Sequence, residues 1–449
     1  MKKGWKALSV LGFSIIMMAA FLMVGQADAK SKVPEVVEVK VGGVMTLSGP
    51  GAAWHGPGGK AEMVFFNHFN KQGGMEYKEP DGSKHRFKIN HKYEDCAYNG
   101  KKAVTSYGRL RDWGADIITT HGSTPGAALI AACARDRLPV VHTWAVHPDP
   151  GYYRQNVDRM YLMPASVTDV DGTCGLMAMF KKFVWDKKHP GKPFKVGVIA
   201  FDNPPRRLYK KPYAKKLYAK AGIDLVGAAI VPITVTDATI EVKRLYDAGA
   251  NFIVVDHTTS GTKVVLESAQ RLGVKDKMDF LTWFNILRDL ATMPEIFDGI
   301  YNPWSYPMYY SSERNDVMEK VGQIYLDADP EYWDLRVDWA VGVHHNMSFA
   351  MEAIKKTLEK YGREGMTRER IREVMFGATT VDTGIYPKFT VDPEFPYIAP
   401  YVWLYQLDAK KKRYNPVGMP VAFGPSVYQP RWSPYDDPKI VYTRYYEWP

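Results

Sequence analysis

Apolar runs of strand length alternate with amphipathic stretches of helix length along most of the chain. Runs at residues 39–47, 88–94, 115–120 and 138–143 are separated by helical periodicity over 59–71, 101–113 and 127–137. After a short run at 159–163 the pattern restarts. Strands are expected at 195–201, 225–231, 251–256 and 279–283, with helices at 172–187, 209–221, 240–248 and 263–272. Runs such as Phe252-Ile253-Val254-Val255 offer no polar face. Such strands are covered on both sides, so the sheets are parallel and built from βαβ crossovers. That many elements exceed one open sheet, which leaves two doubly wound lobes or a closed barrel.

The interruptions favour two lobes. The helices before Gly222 and Gly249 stop at glycine and a strand resumes within a few residues, as short connections do. The alternation breaks at 148–158 and again after Gly299, where Asn302-Pro303-Trp304-Ser305-Tyr306-Pro307 reads as an extended crossing. Long helices are expected at 313–326 and 337–361. From Val381 onward the chain is rich in proline and aromatic residues and reads as irregular.

The chain starts with a segment to be set aside from the fold. Lys2, Lys3 and Lys6 precede an uncharged run from Ala7 to Gly25, and Ala27-Asp28-Ala29 supplies a small-x-small cleavage pattern, so residues 1–29 are expected to be a signal peptide. Two units of the net charge of +10 belong to it. The remaining basic charge is scattered, which argues for a solvated surface and against a nucleic-acid face. With 46% hydrophobic and 24% charged residues, disorder is excluded. Three cysteines with no Cys-x-x-Cys pair exclude a disulfide scaffold, a zinc ribbon and a thioredoxin-type site. Either three free thiols or one bridge and one thiol fit the count.

Local motifs are weak. Gly56-Pro57-Gly58-Gly59-Lys60-Ala61 spells G-x-G-x-x-A, the dinucleotide fingerprint, but the preceding strand ends near Leu47 and Pro57 removes an N–H donor. An exported NAD-type oxidoreductase is therefore an alternative reading. His142, His147 and Asp149 are a candidate zinc set, whereas His344 and His345 are adjacent on a helix and face different ways. No G-x-S-x-G or H-E-x-x-H occurs, so no hydrolase signature and no catalytic residue is assigned. No cofactor or metal is expected.

The more specific signal is distributed. It comprises Val41-Gly42-Gly43-Val44-Met45-Thr46-Leu47-Ser48-Gly49-Pro50, Trp54-His55-Gly56, Phe66-Asn67 with Asn70, Gly73 and Gly74, Tyr93-Glu94-Asp95, Gly122-Ser123-Thr124, Leu138-Pro139-Val140-Val141 and Ala248-Gly249-Ala250-Asn251-Phe252-Ile253. In this order the chain resembles the periplasmic ligand-binding proteins of branched-chain amino acid ABC transporters, from about residue 38 to 300. The resemblance thins from 300 to 390 and is nearly absent afterwards.

The resemblance implies two α/β lobes with parallel-sheet cores joined by three hinge crossings, near Pro164, 301–303 and Thr383. Lobe one is expected from 30–163 with 304–382, and lobe two from 164–303 with 383–449. A small molecule is held in the cleft, the partners are permease subunits at the membrane, and a monomer is expected in the periplasm. Trp54 matches the family's ligand-covering aromatic, and Ser123, with Thr124 beside it, the hydroxyl that holds a ligand carboxylate. Ser123 and Thr124 also suit a helix N-cap. Other positions depart. Trp144-Ala145-Val146 lacks a family hydroxyl, Arg206 and Thr258 stand where the family has tyrosines, and Trp283-Phe284-Asn285 has no acid for an α-ammonium. Gly122 stands where the family has a disulfide cysteine. An unpaired buried ammonium is costly. The expected ligand is therefore a small hydrophobic or aromatic carboxylate, or an amide, with an apolar amino acid as the alternative. An anchored sensor with the same lobes is a further reading.

Overall fold

The computed structural model describes residues 36–143, 156–165, 169–203, 206–282, 295–304, 306–312, 314–334, 336–385, 388–391, 393, 398, 401–417 and 421–422. The expected signal peptide, residues 1–29, lies outside them. The first sheet is built around β1 (Val36–Met45), which leads into helix α1 (Ala52–Lys71). An edge hairpin of β2 (Met75–Lys78) and β3 (Lys84–Asp95) follows, then α2 (Gly100–Asp112), β4 (Ile117–Thr120), α3 (Ser123–Asp136), β5 (Val140–His142) and β6 (Leu162–Pro164). The strand order is β2-β3-β1-β4-β5-β6, parallel except for β2.

The chain then builds a second sheet with the same winding. Helix α4 (Asp169–Phe180) precedes β7 (Lys195–Phe201), α5 (Pro212–Lys220), β8 (Asp224–Val231), α6 (Thr239–Asp247), β9 (Phe252–Asp256), α7 (Thr259–Arg271), β10 (Asp279–Thr282) and β11 (Tyr301–Trp304). Its parallel strands run β8-β7-β9-β10-β11. In both sheets the order reverses at the first strand of the lobe, β1 or β7. Crevices that hold ligands open at the carboxyl ends of strands beside such reversals. Strands β7 and β9 are buried along almost their whole length, as the unbroken apolar runs require. Two separate sheets rule out the closed barrel.

After β11 the chain returns to the first sheet. Helices α8 (Asp316–Ala328), α9 (Val337–Gly365) and α10 (Arg368–Phe376) form a layer in which α9 packs on α1 and β2. A small pair, β12 (Thr380–Val381) and β13 (Phe389–Thr390), precedes β14 (Tyr401–Asp408) and β15 (Arg413–Pro416). Strand β14 closes back on the second sheet, antiparallel to β11 with Trp304 opposite Trp403. The chain thus passes between the sheets three times.

Three expectations need correction. The stretch from Asn302 is a strand of the second sheet through Trp304 and not simply a crossing. The segment after Val381 carries an antiparallel hairpin, β14 and β15, in which Trp403, Leu404, Tyr405 and Leu407 are buried in the core. Helix α1 begins at Ala52, seven residues before its expected start, so Gly56 to Ala61 lies inside the helix. No strand-to-helix turn exists there to cradle a pyrophosphate. The glycines serve packing instead: a Cβ on Gly58 would lie 2.7 Å from the His121 ring, and one on Gly59 3.1 Å from Leu47. The three cysteines are free and buried. Among the described residues no helix is long and apolar enough to cross a membrane.

Candidate functional site

The carboxyl ends of the two sheets face each other and build one polar, largely buried region. From the first sheet, β4 ends at Thr120 and continues into His121, Gly122 and Ser123. Gly122 is the N-cap of α3, with φ 97° and ψ 140°. That left-handed φ favours glycine, and a Cβ there would lie 2.9 Å from the Tyr98 ring and 3.0 Å from His55 Nε2. Gly122 has no side chain with which to cap the helix, so the N-terminal N–H groups of Ser123 and Thr124 keep their capacity to hold an anion. This corrects the N-cap reading of Ser123. It is the first helical residue, and its hydroxyl is used tertiarily.

Around Ser123 the first lobe places a layer of rings. Ala97 and Tyr98 at the end of β3 both have positive φ, 51° and 58°. This strained pair of non-glycine residues turns the Tyr98 ring under Ser123, with the two hydroxyls 3.4 Å apart. His55 of α1 stacks on Tyr98 at 5.2 Å and meets the edge of Trp339 at 6.4 Å. Burial, then the fields of His121, His142 and Arg206, hold the His55 pKa well below the usual histidine range, so its imidazole is neutral. His142 Nε2 donates to the Gly122 carbonyl at 2.9 Å and fixes the turn.

Beneath this layer lies a closed network. Fully buried Glu62 accepts from Thr119 Oγ1 at 2.5 Å and from His121 Nε2 at 3.0 Å, and His121 Nδ1 faces Thr143 Oγ1 at 2.8 Å. Every polar group here is matched, which makes the network a scaffold that sets the height of the α3 N-terminus.

The second lobe presents the ends of β7 and β9. Arg206, only 2% exposed, pairs with fully buried Asp256 at 2.6 Å and donates from Nε to the Asp256 carbonyl at 3.2 Å. Its guanidinium lies 4.0 Å over the Phe201 ring, and the Tyr209 hydroxyl donates to Asp256 Oδ2 at 3.3 Å. The Arg206 charge is therefore already balanced inside the protein by Asp256. Arg207 pairs with Asp202 at 2.6 Å on the surface, where such a bridge contributes little. Thr258 caps α7, accepting from Gly261 N at 3.2 Å. His257 beside it donates to the Pro232 carbonyl at 3.1 Å, and burial lowers its pKa to about 4.

The two walls touch. Asn203, just beyond β7, donates from Nδ2 to Ser123 Oγ at 3.1 Å, while its Oδ1 accepts the backbone N–H of Arg206 at 3.0 Å. Ser123 and the Asn203–Arg206 segment thus come together, with Thr124 adjacent and Thr258 on the second wall. The backbone of Trp54 lies in the first turn of α1, and its side chain falls outside what is described. Trp144, Ala145, Val146, Trp283 and Phe284 lie outside the described residues, as do His147 and Asp149 of the candidate zinc set. Among the described residues no group of histidine, cysteine or acidic side chains is arranged to hold a metal.

Sequence reasoning missed Asn203, Tyr98, His55 and the Glu62 network. Asn203 carried a readable signal, since it comes just after a predicted strand and before the sequence Pro204-Pro205. Tyr98 carried none, because its role depends on a left-handed backbone.

The profile described as periplasmic binding protein matches residues 38–412. A branched-chain amino acid ABC transporter protein from Thermus thermophilus, solved with bound valine, superposes with TM-score 0.68 at 17% identity, over 88% of this chain and 98% of that one. A fatty acid ABC transporter substrate-binding protein from Thermomonospora curvata gives 0.65 at 18% identity, over 87% and 94%. A solute-binding protein from Rhodopseudomonas palustris BisB5 in complex with 3,4-dihydroxybenzoic acid gives 0.62 at 16%, over 83% and 94%. No curated protein matches the chain in sequence.

Proposed function

The chain belongs to the periplasmic binding protein family, and from that premise we propose that it captures a small hydrophobic or aromatic carboxylate for an ABC importer. The observation that carries this reading is the start of α3. Gly122 leaves the helix end uncapped, Ser123 offers a hydroxyl beside it, and Asn203 of the facing wall reaches the same hydroxyl. A helix N-terminus with an adjacent hydroxyl donor suits a carboxylate. Among the described residues an α-ammonium has no comparable partner there, since Asp256 is engaged by Arg206 and Glu62 by Thr119 and His121. The reading keeps Trp54, Trp144 and Phe284 as the aromatic surfaces against the ligand body.

In this reading residues 30–163 with 304–382 form one lobe and 164–303 with 383–449 the other. The cleft closes by rotation about the three passages between the sheets. The protein is exported after cleavage behind Ala29, works as a monomer in the periplasm, and hands its ligand to permease subunits.

A thermal-shift panel on the mature protein tests the ligand class, because a ligand that binds only the native state raises the midpoint by mass action. Aromatic and branched aliphatic acids should raise it, and Ser123→Ala should weaken the strongest of them roughly tenfold or more, as loss of a hydrogen bond to a charge does. A clear shift with leucine or valine, and none with the acids, would return the amino-acid reading in its place.

A further inference from the structure

We propose that Asn203 is a specificity-determining residue of the cleft: it fixes Ser123 as a hydrogen-bond donor, so that the site selects an acceptor group, the carboxylate, over its neutral amide. This rests on the cleft reading above and deepens it.

The directions of the hydrogen bonds decide the roles of Asn203 and Ser123. The backbone N–H of Arg206 can only donate, so the atom of the Asn203 carboxamide that meets it at 3.0 Å must be the oxygen. That assigns the orientation of the group without ambiguity, which an isolated asparagine would not allow. The nitrogen is then the atom 3.1 Å from Ser123 Oγ, and it can only donate. Ser123 is thereby an acceptor toward Asn203 and keeps its one proton for another partner. The Tyr98 hydroxyl lies at 3.4 Å, a long contact, and can itself supply a proton to the second lone pair of Ser123. A carboxylate arriving at the α3 N-terminus is a stronger acceptor than a phenol and receives the Ser123 proton. Donation from Asn203 strengthens that bond, since linked hydrogen bonds polarise one another in a buried setting. Asn203 is itself 3% exposed and Ser123 6%, so water competes little with this chain.

Two features hold Asn203 in place. Its carbonyl accepts the Arg207 N–H at 3.2 Å, and the following Arg206 is anchored by Asp256. A residue used only to latch two lobes would need the contact and not its polarity. The test separates these roles.

The probes are two matched pairs, benzoate with benzamide and 4-methylpentanoate with 4-methylpentanamide, titrated calorimetrically. The full mature protein, its Asn203→Asp variant and its Asn203→Ala variant are compared. The wild type should bind at least one acid roughly tenfold or more tighter than its amide. Asn203→Asp keeps the Arg206 contact but accepts the Ser123 proton, leaving Ser123 an acceptor beside a negative charge. The acid should lose at least about a hundredfold and the preference should invert toward the amide. Asn203→Ala should lower the acid-to-amide ratio without inverting it, and it serves if the aspartate variant does not fold. A wild type that binds acids while both variants keep its acid-to-amide ratio within about threefold overturns the inference and leaves the ligand class standing. A wild type that binds none of the four probes overturns both.

Discussion

Replacing Asp256 by asparagine keeps the shape of the side chain and removes its charge. Arg206 would remain a buried guanidinium with its 2.6 Å ionic partner gone. Breaking a buried pair from one side costs roughly 3–5 kcal/mol, because the surviving charge keeps its desolvation penalty. The Nε bond to the main-chain carbonyl of residue 256 survives and the Tyr209 hydroxyl still finds an oxygen, so neither adds to the loss. Arg206→Met strands Asp256 in the same way and also loses the stacking over Phe201, worth about 2 kcal/mol when desolvated. Independent sites would make the double variant cost about 8–12 kcal/mol. The double variant instead buries no net charge, and methionine fills much of the vacated volume. It should cost no more than about 4 kcal/mol, which sets the coupling near 4 kcal/mol or above. Urea unfolding of the four proteins, followed by tryptophan fluorescence, measures the cycle. Additivity within about 0.5 kcal/mol, or single variants within about 1 kcal/mol of wild type, would refute the reasoning.

Asp338 at the start of α9 is buried with Oδ2 unmatched, and burial pushes its pKa up to about 8. The native state therefore holds a proton that the unfolded chain releases above its ordinary range, so stability from this group is present at low pH and is lost as pH rises toward 8. Urea midpoints should show wild type losing up to about 4 kcal/mol more than Asp338→Asn between pH 5 and 8; parallel curves would show that Asp338 is ionised in the fold. Gly122→Ala should cost about 1–3 kcal/mol and displace Tyr98 or His55, given its φ of 97° and the 2.9 Å approach. A thermal midpoint equal to wild type would mean that the turn relaxes. The three buried thiols should be silent to a thiol reagent in the native protein and all react in denaturant, with burial holding Cys133 up at about 12; one thiol equivalent in denaturant would reveal a bridge.

The alternation of apolar runs located most strands because parallel strands buried on both faces leave an unmistakable pattern. Residues 195–201 coincide with β7, whose apolar run is bounded by Lys195 at its start and Asp202 just beyond its end. Helix α1 began earlier than expected because Gly56, Pro57, Gly58 and Gly59 read as a turn, whereas tertiary packing on β1 and His121 requires them inside the helix. Strand β2 is short and half exposed, and β14 joins its sheet through β11, about a hundred residues upstream. Neither has a local signature. Ser123 and Arg206 were singled out through the family resemblance, and both stand where the two walls meet. What Arg206 does was not legible, because its balance by Asp256 is a contact between two strand ends. Asn203, Tyr98 and His55 act through orientation, which spacing does not encode.

The return of the chain to its first sheet has a consequence for the order of events in folding. The strands of that sheet are complete by Pro164, but the outer face of α1 and the edge at β2 wait for α9, whose kink residue Gly362 is followed by Arg363, bonded to Glu79 across 284 positions. Until then Phe65, Phe69 and Met75 have no cover, and closing so distant a contact is slow. The second sheet likewise lacks its outer strands until residue 401 arrives. Neither half can finish before nearly all of the chain exists. The crossings that let the two halves rotate in the finished protein also make each half hostage to the last third of the polypeptide, so a shortened chain should persist as an open, sticky intermediate with no independently folded lobe.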